Sequence, residues 1–217
     1  MTDHKNEKNR IILSGEIVEE GLLSHHIAGE PIYQTRFRVS RLSKQIDLLP
    51  ITFSSRLLPL MTPSYAQDKT CILGQIRSYN KMTEGRSHLV LTVFAKEVLP
   101  TLPDGASNNE VYLDGFICRS PIYRTTPFMR EITDMLVAIN RPFNKSDYIP
   151  AIAWGNNARL AQEFKTGDRV IISGRMQSRE YQKKYSEDTS VLKLAYEVSV
   201  STIRKAGKDE PPYLDTE

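Results

Sequence analysis

The clearest pattern of hydrophobic and polar positions lies between residues 148 and 181, and it predicts a strand, a helix and a second strand. Residues 148–154 alternate between two faces as a strand does, and Tyr148 and Trp154 point to the same face. Asn156 is typical of a helix N-cap, and Gly167 is typical of a left-handed C-cap. The apolar stripe of the helix between them is formed by Ala158, Leu160, Ala161 and Phe164.

The strand predicted from residue 169 has one apolar face and one face that carries cations and an aromatic ring. Its even positions are apolar or small, namely Val170, Ile172, Gly174 and Met176. Its odd positions include Ile171, Arg175, Gln177, Arg179 and Tyr181. Every base has a face to stack and every nucleotide a phosphate to neutralise, so the second face is typical of single-strand binding.

The two halves of the chain resemble each other at a constant shift of 100 residues. The shift pairs residue types that seldom coincide by chance, namely Gly15 with Gly115, Arg41 with Arg141, Asp47 with Asp147, Pro50 with Pro150, Gly74 with Gly174 and Ser78 with Ser178. The sequence therefore predicts a tandem duplication.

Each copy is predicted to hold five strands, with one short helix after the third. The strands are expected near residues 10–18, 32–41, 46–53, 71–79 and 88–97, and near residues 110–118, 131–140, 147–154, 169–181 and 191–203. This layout predicts an all-β chain of two tandem OB-folds, which are five-stranded Greek-key barrels that bind oligonucleotides or oligosaccharides. Another small β-barrel is the alternative. The expected divisions are an N-terminal OB-fold at 1–98, a linker at 99–108, a C-terminal OB-fold at 109–203 and a disordered acidic tail at 204–217.

Composition narrows the class of protein. A net charge of +3, from 29 Lys and Arg against 26 Asp and Glu, does not by itself indicate a nucleic-acid partner. Cys71 and Cys118 match no ligand spacing, and the four histidines do not complete one, so neither a metal site nor a cofactor is predicted. No run reaches the roughly 20 apolar residues of a membrane span, and residues 1–9 lack the apolar core of a signal peptide. We therefore expect a cytoplasmic protein without a membrane partner, and the absence of catalytic motifs indicates that it is not an enzyme.

The two copies differ where a ligand would bind. At the positions of Phe143, Tyr148 and Trp154 the first copy has Ser43, Leu48 and Ser54. The second copy is also slightly more basic, with 15 basic and 11 acidic residues at 109–205 against 13 and 11 at 1–108. We therefore expect the second copy to bind the ligand and the first copy to carry a degenerate face.

Three segments, NEVYLDGFICRSP, LVAINRPF and YIPAIAWGNNARLAQEFKTGDRVIISGRMQSREY, resemble the bacterial single-stranded DNA-binding proteins, and the resemblance spans residues 109 to about 203. It implies that bases stack on four aromatic residues, Phe143, Tyr148, Trp154 and Tyr181. The family commonly ends in a short acidic peptide that recruits replication and repair proteins, whereas this chain ends in PPYLDTE. Members with two OB-folds per chain work as dimers, so the resemblance also implies a homodimer.

Cations near these aromatics are candidates for phosphate contacts. They are Arg141, Arg175 and Arg179, with Lys183 and Lys184 in a predicted hairpin loop. Each assignment has a structural alternative. Trp154 would instead close the barrel core, Phe143 and Tyr181 would be ordinary surface aromatics, and the cations would be solvated.

The sequence thus predicts a protein that binds single-stranded DNA with little sequence specificity and coats and protects it in replication, recombination or repair, of host or mobile DNA. The alternative is an OB-fold adaptor of a primosome-like complex that acts mainly through protein contacts. For a homodimer, the expected contact is a surface of the first copy. Its candidate apolar positions are Ile32, Phe37, Val39, Leu48 and Leu49, of which some face the core of the barrel and others are open to a partner.

Overall fold

The computed structural model of the protein describes residues 7–63, 69–83, 85–184, 190–207 and 210, and of residues 181–184 and 190–193 it describes the backbone. The described residues form twelve strands, a short α-helix and a 3-10 helix. Among them, no helix is long and apolar enough to span a membrane. The chain is therefore all-β, as the sequence predicts.

The first six strands close into a barrel, which we call the N-terminal barrel. They are β1 (Asn9–Ile17), β2 (Leu22–Ile27), β3 (Glu30–Ser40), β4 (Ile46–Ser54), β5 (Thr70–Thr83) and β6 (Arg86–Leu99), and the 3-10 helix (Ser55–Leu60) follows β4. β1 pairs antiparallel with both β3 and β5. β4 and β6 pair in parallel and complete the ring, which is the connectivity of an OB-fold.

The last six strands repeat this connectivity in the C-terminal barrel. They are β7 (Asn109–Ile117), β8 (Ile122–Thr125), β9 (Glu131–Arg141), β10 (Lys145–Trp154), β11 (Arg169–Lys184) and β12 (Ser190–Lys205), with helix α1 (Asn156–Ala161) after β10. β7 pairs antiparallel with β9 and β11, and β10 pairs in parallel with β12. All ten predicted strands are therefore confirmed within a few residues.

Two strands, β2 and β8, were not predicted. All six side chains of β2 and all four of β8 are exposed. Without a buried face, a strand has no alternation for the sequence to show. Each of these strands forms an edge, β2 beside β3 and β8 beside β9.

Glycines allow the strands to approach closely where each barrel closes. A Cβ at Gly15 would lie 2.2 Å from the carbonyl oxygen of Arg38, and one at Gly115 would lie 2.6 Å from that of Ala138. Gly74 and Gly174 stand at register shifts in β5 and β11. The glycine pairs that reveal the repeat in the sequence therefore hold equivalent positions in the two barrels.

The barrel interiors are filled by the inward positions of the strands. Phe37, Val39 and Leu49 belong to this core, Ile32 is buried outside it, and Leu48 is half-buried. Of the five candidate contact positions, three therefore face the core of their own barrel, because the alternation of β3 and β4 directs them inward.

Helix α1 differs in detail from the prediction. Its N-cap is Gly155, at φ 54°, and Asn156 is the first helical residue. Ala158, Ala161 and Phe164 are buried as predicted, but Leu160 is exposed. Gly167 has the predicted left-handed conformation, at φ 89°.

The two barrels are joined by antiparallel pairing of β1 with β7, in which Ile11 lies opposite Val111. On the outer side of β1 and β5, Leu102 and Ala106 pack against a cluster of Ile12, Cys71 and Leu73. Burial raises the pKa of the Cys71 thiol above its ordinary value. Residues 100–108 thus lie on the N-terminal barrel and lead directly into β7.

The chain end leaves the C-terminal barrel after β12, which includes Arg204 and Lys205. Ala206 is buried with Tyr112 and Ile171. Residues 208–209 and 211–217, which hold most of the predicted acidic tail, lie outside the described residues.

Candidate nucleic-acid interface

Two buried aspartates hold the barrels together at equivalent positions. Asp47 accepts a hydrogen bond from the backbone N–H of Ser178 at 2.8 Å. Asp147 accepts the equivalent bond from the backbone N–H of Ser78, also at 2.8 Å. Both carboxylates are fully buried. Because each aspartate bonds the other barrel, the pair fixes how the two barrels are oriented.

Each aspartate also faces one arginine from each barrel. Arg41 donates to both oxygens of Asp47, at 2.5 and 2.7 Å, and these bonds raise the pKa of Arg41. Arg175, from the other barrel, lies 3.5 Å from the same carboxylate. Burial lowers the pKa of Arg175, and the charge of Arg41 lowers it further. Buried carboxylates require such partners, since an unpaired buried charge is costly.

The arrangement at Asp147 is the counterpart. Arg77 donates to Oδ2 at 3.0 Å from the N-terminal barrel, and Arg141 Nε lies 3.1 Å from the same oxygen. On the contacting strands, the order of arginine and glutamine is reversed between the two barrels. The shift of 100 residues aligns Gln75 with Arg175 and Arg77 with Gln177. Arg141 and Arg175, both predicted to contact phosphate, therefore already neutralise buried aspartates at the barrel junction.

A groove of about 690 Å³, which we call the C-terminal groove, lies on the outer face of the C-terminal barrel. Trp154, Arg175 and Arg179 line it, together with Arg130. Arg41 and Ile46 of the N-terminal barrel also line this groove. Trp154 is 37% exposed, while its neighbour Ala153 is fully buried. Strand alternation thus places the indole outward, beside the arginines, rather than in the core.

Arg179 is the more exposed of the two predicted arginines of β11. Its side chain is about half exposed, and its Nε lies 3.5 Å from Glu197. Glu197 also accepts a hydrogen bond from Gln177 at 2.8 Å. The guanidinium of Arg179 is therefore positioned by the largely buried Glu197 while it remains in contact with solvent.

The predicted aromatics follow β10 rather than gathering in one groove. Trp154 ends the strand, Tyr148 is 40% exposed near its middle, and Phe143 is 94% exposed at the tip of the β9–β10 hairpin. The backbone N–H of Tyr148 donates to Ser78 Oγ at 2.7 Å, so this part of β10 lies against the N-terminal barrel. The ten residues of β10 span about 30 Å. The aromatics thus form a line from the C-terminal groove across the junction.

A second groove, of about 930 Å³, lies on the N-terminal barrel at the equivalent place, and we call it the N-terminal groove. It is lined by residues of β2, β5 and β6, and by Arg141 of the C-terminal barrel. Arg141 was predicted for the binding face of its own barrel. The structure places it in the neighbouring groove, because the β9–β10 hairpin reaches across the junction.

Comparison with known proteins shows what the C-terminal barrel resembles. Residues 108–203 match the single-strand binding protein family. The chain is 33% identical over 81 residues to the single-stranded DNA-binding protein of Oceanobacillus iheyensis, covering 34% of this chain and 50% of that protein. It is 27% identical over 110 residues to single-stranded DNA-binding protein 2 of Streptococcus agalactiae, covering 46% of this chain and 84% of that protein. The chain spans about half the length of the first relatives it matches.

The whole chain has a structural counterpart. The crystal structure of the single-stranded DNA binding protein from Thermus aquaticus, in a deletion mutant, covers 94% of this chain and 97% of its own, with a TM-score of 0.70 and 18% sequence identity. The wild-type crystal structure from the same organism gives a TM-score of 0.67 over 93% of this chain. The fold of both barrels together is therefore that of single-stranded DNA binding proteins, whereas the family match covers the C-terminal barrel.

Three predicted residues lie at the end of β11 in the C-terminal barrel. The backbones of Tyr181, Lys183 and Lys184 belong to β11, so the prediction that the two lysines lie in a hairpin loop is wrong, because β11 and β12 extend further than predicted. Their side chains lie outside the described part of the structure. Their roles stay predictions from the family resemblance.

Sequence reasoning missed two cations of the C-terminal groove, Arg41 and Arg130. Arg41 was visible as the partner of Arg141 in the repeat, but nothing local showed that it faces the other barrel. Arg130 follows the exposed turn of β8–β9, where the backbone N–H of Arg130 donates to Thr126 Oγ1 at 3.1 Å. The signal for Arg130 is its place next to β8, a strand that the sequence did not predict.

Proposed function

We propose that the protein binds single-stranded DNA with little sequence specificity, coating and protecting it in replication, recombination or repair. The observation that carries the proposal is the partly exposed Trp154 in a groove with Arg179 and Arg130. The match of residues 108–203 to the single-strand binding protein family supports the same ligand. An aromatic ring among cations accepts any base and any phosphate, so this site carries little sequence preference.

We propose that stacking and phosphate contact divide between different residues of the path. Trp154, Tyr148 and Phe143 offer rings along β10, each worth roughly 1–3 kcal/mol when a base stacks on it. Arg179 and Arg130 offer the cations nearest to solvent in the C-terminal groove. Arg141 and Arg175 contribute less charge to a phosphate, because Asp147 and Asp47 already partly neutralise them.

The direct test measures binding of a fluorescently labelled oligo-dT by anisotropy. Replacing Trp154 or Tyr148 by Ala should weaken binding by about 1–3 kcal/mol each. The matched controls are Ser54→Ala and Leu48→Ala, the equivalent positions of the N-terminal barrel, which should cost clearly less. Unchanged affinity in Trp154→Ala would remove the basis of the proposal and favour the OB-fold adaptor.

We propose that the two barrels act as domains, divided at residues 99–108, and that the chain forms a homodimer. β2 stands at the end of the strand order of the described residues, and its exposed side chains include Leu22, Leu23 and Ile27. Unpaired backbone groups on an edge strand favour pairing with another strand. Antiparallel pairing of β2 with a second β2 would be isologous and would close as a pair.

Light scattering without DNA tests the homodimer. At micromolar concentration the mass should be about twice the 24.7 kDa of the chain. Leu22→Lys should shift the mass toward the monomer, and Ile122→Lys, on the other edge strand β8, should not. A monomer in the unmodified protein would end this part of the proposal.

A further inference from the structure

The N-terminal groove is the larger of the two grooves, yet its barrel lacks aromatics at the positions that align with Phe143, Tyr148 and Trp154. Its lining instead includes Tyr79, which is 53% exposed, and the half-buried Phe94. Tyr79 stands at the position of Arg179, and Phe94 lies opposite Gln75 on the neighbouring strand. The rings of this groove therefore come from β5 and β6, whereas Tyr148 and Trp154 of the C-terminal barrel come from β10.

The charge of the N-terminal groove also differs from that of its counterpart. Gln177 lies opposite Glu197 in the C-terminal barrel, whereas Arg77 lies opposite Thr92 in the N-terminal barrel. Lys81 adds an exposed cation two residues beyond Tyr79. None of the described residues that line the N-terminal groove is acidic. A polyanion entering this groove thus meets no lining carboxylate, and it meets Lys81 as an exposed cation, whereas Arg77 and Arg141 share the buried Asp147.

Each groove is lined in part by an arginine of the opposite barrel. Arg141 of the C-terminal barrel lines the N-terminal groove, and Arg41 of the N-terminal barrel lines the C-terminal groove. The hairpin tip that carries the exposed Phe143 begins directly after Arg141. A chain of nucleotides leaving Trp154 along β10 would therefore arrive at the N-terminal groove.

We propose that the N-terminal groove is a second site for single-stranded DNA, in which bases stack on Tyr79 and Phe94 and phosphates contact Lys81. This inference rests on the proposed function and extends it to a barrel that the family match does not cover. One strand would occupy both grooves of the same chain, crossing the junction between them. The prediction of a degenerate binding face on the N-terminal barrel is based on the positions that align with Phe143, Tyr148 and Trp154. It does not take account of Tyr79 on β5 and Phe94 on β6.

A relocated fluorophore tests the inference directly, because Trp154 is the single tryptophan of the chain. In a Trp154→Phe background, Tyr79→Trp places the reporter in the N-terminal groove, and a dT oligonucleotide of about 30 nucleotides should quench it, since one OB-fold takes roughly 4–16 nucleotides. The control is Leu160→Trp in the same background, at an exposed position of α1, which should stay unquenched. An unquenched Tyr79→Trp reporter, with the oligonucleotide shown to be bound by anisotropy, overturns the inference.

A second arm keeps the native Trp154 and removes the new site. Tyr79→Ala with Lys81→Ala should lower affinity for the oligonucleotide of about 30 nucleotides by about tenfold or more, and leave quenching of Trp154 by one of about 10 nucleotides unchanged. Lys69→Ala, an exposed lysine outside the lining, is the charge control and should change neither. Equal affinity for the longer oligonucleotide would overturn this inference alone. Absence of binding at both lengths in the unmodified protein would overturn the proposed function with it.

Discussion

At the scale of single residues, Phe143 combines two features that packing does not explain. Its ring is 94% exposed, and its backbone has φ 62°. The left-handed region costs a residue with a Cβ about 1–2 kcal/mol. Exposed aromatics in strained positions point to a role in binding.

Phe143→Gly separates that role from folding. Glycine relieves the strain and loses more chain entropy, so the free energy of unfolding should change by less than about 1 kcal/mol. Affinity for oligo-dT should fall by about 1–3 kcal/mol, because one stacking ring is lost. Urea unfolding and anisotropy on the same sample check both values. Unchanged affinity would show that Phe143 lies off the path of the DNA.

The salt dependence of binding should distinguish Arg179 from Arg175. Each phosphate neutralised by the protein contributes about −0.7 to the log–log slope for single strands, so Arg179→Ala should reduce its magnitude by up to that amount. Arg175→Ala should reduce the slope by less than Arg179→Ala does, and should also destabilise the protein by about 1–3 kcal/mol, because it leaves the buried Asp47 with one cation fewer. Anisotropy titrations at several salt concentrations give the slopes.

Arg204→Ala is the control for this comparison, since Arg204 pairs with Glu210 away from both grooves. Its slope should equal that of the unmodified protein. If Arg179→Ala gave the same slope as Arg204→Ala, Arg179 would contact no phosphate.

The direction of a side chain on its own strand could be predicted from the sequence, and its partners across the molecule could not. Alternation placed Trp154 outward and Ala153 inward correctly. The partners of Arg175 and Arg141 depend on Asp47 and on the β9–β10 hairpin, which meet other strands far away in the sequence. Local patterns carry no information on such contacts.

At the scale of strands and helices, Gly174 should be required for barrel closure. A Cβ there would lie 2.3 Å from the carbonyl oxygen of Ser199 on β12, and backbone cannot move aside cheaply. Gly174→Ala should therefore destabilise the protein by about 1–3 kcal/mol in urea unfolding. Gly207→Ala is the control, because its nearest atom would be 3.7 Å away, and it should be close to neutral. Similar stability in both variants would contradict the close approach.

The elements that the sequence predicted are those with one buried face. β3, β4, β10 and β11 show alternation because each packs on a core. The sequence does not predict β2 and β8, because every side chain of these two strands is exposed. In α1 the glycine before the predicted cap, Gly155, took the capping position, since its left-handed φ is open to glycine.

At the scale of the whole molecule, Asp147 should stabilise the junction between the barrels. Asp147→Ala removes the acceptor of Ser78 N–H and leaves Arg77 and Arg141 without their shared anion. Breaking a buried pair in this way costs about 3–5 kcal/mol. Asp134→Ala removes an exposed pair with Arg124 and should cost less than about 1 kcal/mol. Equal losses in thermal or urea unfolding would show that the junction is not held by Asp147.

The repeat predicted both barrels but not how they complete each other. A shift of 100 residues relates Asp47 to Asp147 and Arg41 to Arg141, and this says only that the two sets are equivalent. That each set faces the opposite barrel follows from pairing of β1 with β7, which brings the two barrels together about an approximate two-fold relation. The presence in each groove of an arginine from the opposite barrel is a property of this arrangement.

The fluorescence of Trp154, the chain's single tryptophan, tests the account most directly. The unmodified protein is titrated with oligo-dT at low salt, and emission is followed alongside anisotropy of the labelled oligonucleotide. Stacking of a base on the indole should quench the emission strongly, in step with binding, and the quenching should reverse when salt is added. Binding without quenching, or no binding at all, would contradict the assignment of the groove around Trp154 as the site for single-stranded DNA.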